Sequence, residues 1–146
     1  MNTRKTLGII LGIAAISVTI LPVARADEAD QATRITVSQP IQIPGKVLPA
    51  GTYWFVLLDH GDNLNVVEVL DSDRSKVIAI VPTLTAERGE PIDKTVLTLA
   101  ERPSDEPKAL LAWFYPGRTV GHEFVYPKRE QKQLAQYKQD SVTVGD

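Results

Sequence analysis

Cysteine is missing from this chain of 146 residues, and there are only two histidines and one methionine. The missing cysteine excludes disulfide-stapled miniproteins and cysteine-ligated zinc or iron–sulfur modules. An excess of basic charge is also lacking, because 16 Lys and Arg stand against 18 Asp and Glu, so no nucleic-acid footprint is visible. The content of 43% hydrophobic residues excludes a disordered tail and is typical of one ordinary globular domain.

Long uncharged runs are scarce too, and the one that stands out covers residues 7–21. Arg4 and Lys5 precede it, and Ala24 and Ala26 follow it at the positions where signal peptidase accepts small side chains. An uncleaved membrane anchor is the alternative, but 15 apolar residues fall short of the roughly 20 that span a bilayer. We therefore predict a cleaved signal peptide over residues 1–26, export to the periplasm or the cell exterior, and no membrane span after cleavage.

Cleavage after Ala26 would leave 120 residues and remove Arg4, Lys5 and Arg25, which changes the net charge from −2 to −5. A domain of this length buries roughly two thirds of its unfolded surface, enough to fold without disulfides. We expect a flexible N-terminal segment over residues 27–34 and a single β-sandwich domain over residues 35–146.

Proline and glycine punctuate the mature chain, and the runs of about 6–9 residues between them suit strands better than helices. Hairpins are predicted to join residues 52–58 to 64–70, and 64–70 to 76–82. Residues 77–81 show no alternation, which predicts a central strand packed on both faces. The run at 128–139 lacks glycine and proline and predicts a helix. The chain is thus expected to be all-β: a mostly antiparallel β-sandwich or small open barrel of six to eight strands with a short C-terminal helix.

Eight of the nine aromatic residues fall in three short segments, 53–55, 113–115 and 124–126. Because side chains alternate along a strand, Trp54 opposes its two aromatic neighbours, and Trp113 and Tyr115 oppose Phe114. One interpretation is an aromatic platform that stacks on sugars or grips a peptide. The other is that a second layer covers these rings and they only pack. The candidate binding residues are Trp54, Trp113, Tyr115, His122 and Glu123.

Both histidines have acidic neighbours, but neither lies in an HExxH or HxH pattern. A two-histidine metal site would need the loops of His60 and His122 to meet. The calcium-like run Asp71, Asp73, Ser75 lacks the glycine and the final glutamate that such a loop needs, so we interpret it as a solvated hairpin turn. We predict no catalytic residue, no metal ligand and no cofactor.

Two stretches resemble a known group of proteins. Residues 43–55, IPGKVLPAGTYWF, resemble the LPAGxYxF signature of small exported proteins from environmental bacteria, and AWFYPG (112–117) with GHEFVYPK (121–128) resembles a second signature of that group. The resemblance implies a signal peptide and a β-rich domain, and it implies no catalytic activity and no catalytic residues. Physically, Pro49-Ala50-Gly51 predicts a tight turn before the strand at 52–58, with Gly51 the candidate for a positive φ.

The leading hypothesis is an extracytoplasmic, non-enzymatic module that acts by binding or structural association, with a protein or glycan of the cell envelope as partner. The alternative is a small metal-dependent or carbohydrate-active enzyme using His122, Glu123 and His60. The enzyme hypothesis requires these three side chains to converge in one concave pocket.

Overall fold

Ten strands and one short helix make up the part of the chain that the computed structural model describes, residues 32–59 and 65–144. The all-β class with a short C-terminal helix is confirmed. The strands outnumber the expected six to eight because short strands form at Ile41–Ile43, Lys46–Leu48 and Val120–Phe124. In chain order the elements are β1 (Ala32–Val37), β2 (Ile41–Ile43), β3 (Lys46–Leu48), β4 (Gly51–Asp59), β5 (Asn65–Leu70), β6 (Val77–Glu87), β7 (Thr95–Ala100), β8 (Lys108–Phe114), β9 (Val120–Phe124), α1 (Lys128–Leu134) and β10 (Gln139–Val144).

The strands form one open sheet in the order β1-β4-β5-β6-β9-β8-β2-β3, and β7 pairs with both β8 and β10. Strand β6 is long enough to serve two layers: its first half pairs with β5 and its second half with β9. We call β1, β4, β5 and the first half of β6 the first layer, and the remaining strands the second layer. All pairings are antiparallel except that of β2 with β8. Both predicted hairpins, β4–β5 and β5–β6, are present.

The core lies between the two layers and is built from alternate residues of each strand. Phe55 of the first layer contacts Trp113 and Phe124 of the second, with ring centroids 5.9 and 6.1 Å apart and edge-to-face geometry. Apolar side chains that are fully or almost fully buried come from both layers: Ile35, Ile43, Leu48, Phe55, Val67, Val69, Val81, Leu110 and Trp113. Period-two alternation therefore places one face of each first-layer strand in the core and the other outside.

Strand β6 differs from its prediction. It is central in the sheet order, but only one of its faces is buried: Val81 is 1% exposed, whereas Ile80 is 61% exposed. The prediction of packing on both faces was wrong because no other described element packs on the outer side of β6 at Ile80. Strand β8 is buried on both faces, since Trp113 lies in the main core while Phe114 belongs to a second, smaller apolar cluster with Val96.

Helix α1 is shorter than the predicted 128–139, because it ends at Leu134 and the chain is already extended again at Gln139. A polar network ties it to the second layer. The Gln42 side chain donates to Glu130 of the helix and accepts from Arg102. Together with the buried Leu134, these bonds hold α1 beside the sheet.

Strand β1 begins at Ala32 and so takes in the last three residues of the segment 27–34 that was expected to be flexible. The predicted signal peptide, residues 1–26, lies outside the described residues.

The LPAG turn precedes β4 as predicted, and the Tyr53 hydroxyl closes it by donating to the Pro49 carbonyl at 2.6 Å. The glycines with positive φ in the described residues are Gly45 and Gly117, so Gly51 does not need the left-handed conformation. Gly121 matters for another reason. A Cβ there would lie 2.6 Å from the carbonyl oxygen of Trp113, so only glycine fits between β9 and β8.

Candidate functional site

Three of the sequence-predicted binding residues form one ring cluster, made of Trp113, Tyr115 and His122. The His122 ring is 5.5 Å from the Trp113 ring and stacks on Tyr115 at 5.9 Å with an interplanar angle of 17°. Trp113 is fully buried and His122 is 3% exposed, whereas Tyr115 is half-buried. The packing interpretation therefore holds for Trp113 and His122, and neither ring offers an open face to a sugar or peptide.

A hydrogen-bond chain defines the state of His122. The Thr83 hydroxyl donates to the Asn65 carbonyl at 2.8 Å, so its oxygen is left to accept from Nδ1 of His122, 3.5 Å away. Burial lowers the pKa of His122 from 6.5 to about 4, because the charged imidazolium loses hydration inside the protein. At neutral pH the ring is uncharged and serves as an aromatic element of the core.

Trp54 lies on the opposite face of the first layer, away from this cluster. Its indole N–H donates to the Ser72 carbonyl at 3.0 Å, and the Arg74 guanidinium lies 3.8 Å from its ring centroid. Both partners belong to the turn between β5 and β6, so the turn folds over Trp54 and holds it with a hydrogen bond and a cation–π contact.

The carboxylate of Asp71 organises that turn. It accepts from the Ser75 backbone N–H and the Ser75 hydroxyl, each at 2.7 Å, and from the Lys76 backbone N–H at 3.2 Å. These bonds lower the pKa of Asp71, the Ser75 hydroxyl contributing most. They also use the oxygens that a calcium ion would need, which supports the interpretation of this run as a hairpin turn.

Two of the three residues of the enzyme hypothesis, His122 and Glu123, point to opposite sides of β9. His122 faces the core, while its neighbour Glu123 is exposed on the other side of β9, where it lines a cleft beside α1. His60 lies outside the described residues. Within residues 32–59 and 65–144, no group of three or more His, Asp or Glu side chains is arranged to hold a metal ion. Of the pair His122 and Glu123, only Glu123 lines the cleft, whereas His122 lies in the core.

An apolar surface that the sequence analysis did not identify lies on the outer side of the first layer. We call it the Trp54 face. Ile80, and Leu84 in the second half of β6, are 61% and 59% exposed there, and Pro82 between them is exposed as well. The apolar side chains of β4 and β5 on this side are half-buried. The strand pairing places them in rows, with Val56, Glu68 and Ile80 side by side across β4, β5 and β6. Its apolar members are Trp54, Val56, Leu58, Val66, Leu70, Ile80, Pro82 and Leu84. Its charged members are Arg34, Glu68 and Arg74, the last lying over Trp54.

A sequence signal for this face existed. Val56, Leu58 and Val66 occupy the positions that alternate with core residues, and these positions would be polar on a solvent-exposed face.

Comparison with known proteins gives no functional information, since no family model, curated protein or solved structure matches this chain. In the described residues, no helix has the length and apolar character to cross a membrane. Functional inference therefore rests on the geometry of the chain itself.

Proposed function

We propose that this chain is an extracytoplasmic module that acts by non-covalent association, and that the Trp54 face is its contact surface. The observation that carries the proposal is the row of large aliphatic side chains exposed along β6, with Ile80 at 61% and Leu84 at 59%. Covering apolar surface of this kind is favourable, and contiguous apolar patches on soluble proteins are often binding sites. The extracytoplasmic location rests on the sequence of residues 1–26.

The partner that fits this face is a second copy of the chain. Arg34 and Glu68 carry opposite charges on the same face, and within the described residues neither forms a salt bridge. A two-fold axis through the face would bring Arg34 of one copy to Glu68 of the other, and the reverse, because a two-fold interface uses the same patch twice. The acidic Glu68 and the basic Arg34, with Arg74 over Trp54, therefore give the face opposite charges that a two-fold axis can pair.

The size of the face predicts weak association. Four strands spaced about 4.8 Å apart, each with about three outward side chains, give a flat footprint of about 400 Å² per copy. That is at the low end of specific interfaces, where complexes are transient. We expect a dissociation constant in the micromolar range or weaker, with monomer and dimer in exchange.

Sedimentation equilibrium of the purified protein from about 1 µM to about 1 mM tests the proposal. The average mass should rise towards that of a dimer. Ile80→Glu should weaken association at least tenfold, because it buries a carboxylate in the centre of the apolar rows. Val142→Glu is the matched control, since Val142 is 39% exposed on β10, away from this face.

Charge reversal distinguishes the predicted interface from non-specific apolar association. Arg34→Glu alone should weaken the dimer, and the double variant R34E/E68R should restore it. A constant monomer mass over the whole range, or equal losses in the Ile80 and Val142 variants, would contradict the proposal.

A further inference from the structure

A cleft of about 330 Å³ lies between α1 and the second layer of the sheet, and Glu123, which lines it, is the cross-strand neighbour of Leu84 at the end of the Trp54 face. Its floor consists of buried apolar side chains, among them Phe114, Ala112 and Leu134. Its rim consists of exposed polar side chains, Glu123 of β9 and Gln131 of α1. An apolar floor with a few polar groups at the mouth is the usual form of a small-molecule site.

The polar groups of the cleft select the charge of a ligand. Glu123 is the acidic residue of the lining, and none of the other lining residues is acidic or basic; within the described residues Glu123 forms no salt bridge. Tyr126 also lines the cleft, but its hydroxyl already donates to the carbonyls of Leu110 at 2.8 Å and Gln42 at 3.1 Å. The cleft thus offers one free carboxylate above an apolar floor.

A cation is already present at one edge of this floor. The Arg88 guanidinium lies 5.0 Å from the Phe114 ring centroid, although Arg88 does not itself line the cleft. The contact shows that the Phe114 ring accepts a positive charge against its face. Because Phe114 and Glu123 line the same cleft, an ammonium group at the carboxylate lies near a ring whose face attracts positive charge.

We propose that this cleft binds a small amphipathic cation, namely a primary amine carried on an aromatic or aliphatic body. The body packs on Phe114, Ala112 and Leu134, and the ammonium group donates to Glu123 at the rim. The volume is about twice that of the roughly 150 Å³ cavity known to hold benzene, so a ligand of about ten to twelve non-hydrogen atoms fits. The inference does not depend on self-association.

Isothermal titration calorimetry with three probes of one shape tests this directly: 4-phenylbutylamine, 4-phenylbutanol and 4-phenylbutyrate. The amine should bind about tenfold more tightly than the alcohol, as expected for one charge-assisted hydrogen bond. The carboxylate probe should bind more weakly than either, because it meets Glu123. No heat from the amine at millimolar concentration, or equal affinities for amine and alcohol, would overturn the proposal.

Two variants locate the binding. Glu123→Gln should reduce amine affinity about tenfold and leave alcohol affinity unchanged, whereas Glu90→Gln, with the same charge change in an exposed loop, should alter neither. Ala135→Phe, at the rim, should remove binding of both probes by filling the cleft. Thermal melting of each variant checks that it is folded. Equal effects of the two glutamine variants would show that the amine binds by general charge attraction, which would also overturn the proposal.

Discussion

Acidification should destabilise this protein through His122, and the structure sets the size of the effect. The pKa of His122 is about 4 in the folded chain, against 6.5 for an accessible histidine. Between these two values the unfolded chain binds a proton that the folded chain does not, so the free energy of unfolding falls as the pH falls. Stability from this source is complete above pH 6.5 and is lost progressively towards pH 4. The loss is about 1 kcal/mol at pH 5.5 and about 2–3 kcal/mol at pH 4.5.

Urea unfolding followed by tryptophan fluorescence at several pH values between 7.5 and 4.5 measures this loss. His122→Phe should remove most of the pH dependence, because phenylalanine keeps the stack on Tyr115 and Trp113 but does not titrate. His60→Gln is the comparison, since it deletes the other histidine of the chain and shows how much of the slope that residue carries. Carboxylate titration is common to all three proteins and cancels in the comparison. An unchanged slope in the His122 variant would refute the reasoning, as would loss of the slope in the His60 variant.

Two further substitutions probe the packing. Gly121→Ala should cost about 1–3 kcal/mol of stability, because its Cβ would lie 2.6 Å from the Trp113 carbonyl oxygen, while Gly89→Ala, with open space around it, should cost little; thermal melting compares them. Tyr126→Phe should cost about 1–2 kcal/mol, because it leaves the buried Leu110 carbonyl without the hydroxyl that donates to it at 2.8 Å. An unchanged urea midpoint would contradict this second prediction.

Much of the local structure could be predicted from the residues alone. The β4–β5 and β5–β6 hairpins follow from turn-forming residues between β-rich runs, and the LPAG turn ends where β4 begins at Gly51. These signals are local, since each depends on backbone preferences over a few residues. The limits of α1 were predicted less well, because the chain leaves the helix after Leu134 to pair β10 with β7, a contact between distant segments.

The candidate site was harder to predict for the same reason. Trp54, Trp113 and His122 are similar as sequence features, yet one lies under an outer turn and the other two lie in the core. Alternation shows that neighbours in a strand point to opposite faces, but it does not say which face the second layer covers. Glu123 was recognised as a candidate, whereas the cleft that it lines required the position of α1.

The sequence by itself determined the all-β class, the main hairpins and the absence of disulfides, because composition, turn residues and strand alternation act over short stretches of chain. Only the tertiary structure decided which apolar faces are covered. It buries His122 and Trp113, leaves Ile80 and Leu84 exposed, and opens a cleft beside Glu123. The physical reason is that a side chain is buried only where the two layers, joined through β6, pack against each other. Contacts between residues far apart in the chain determine where that happens.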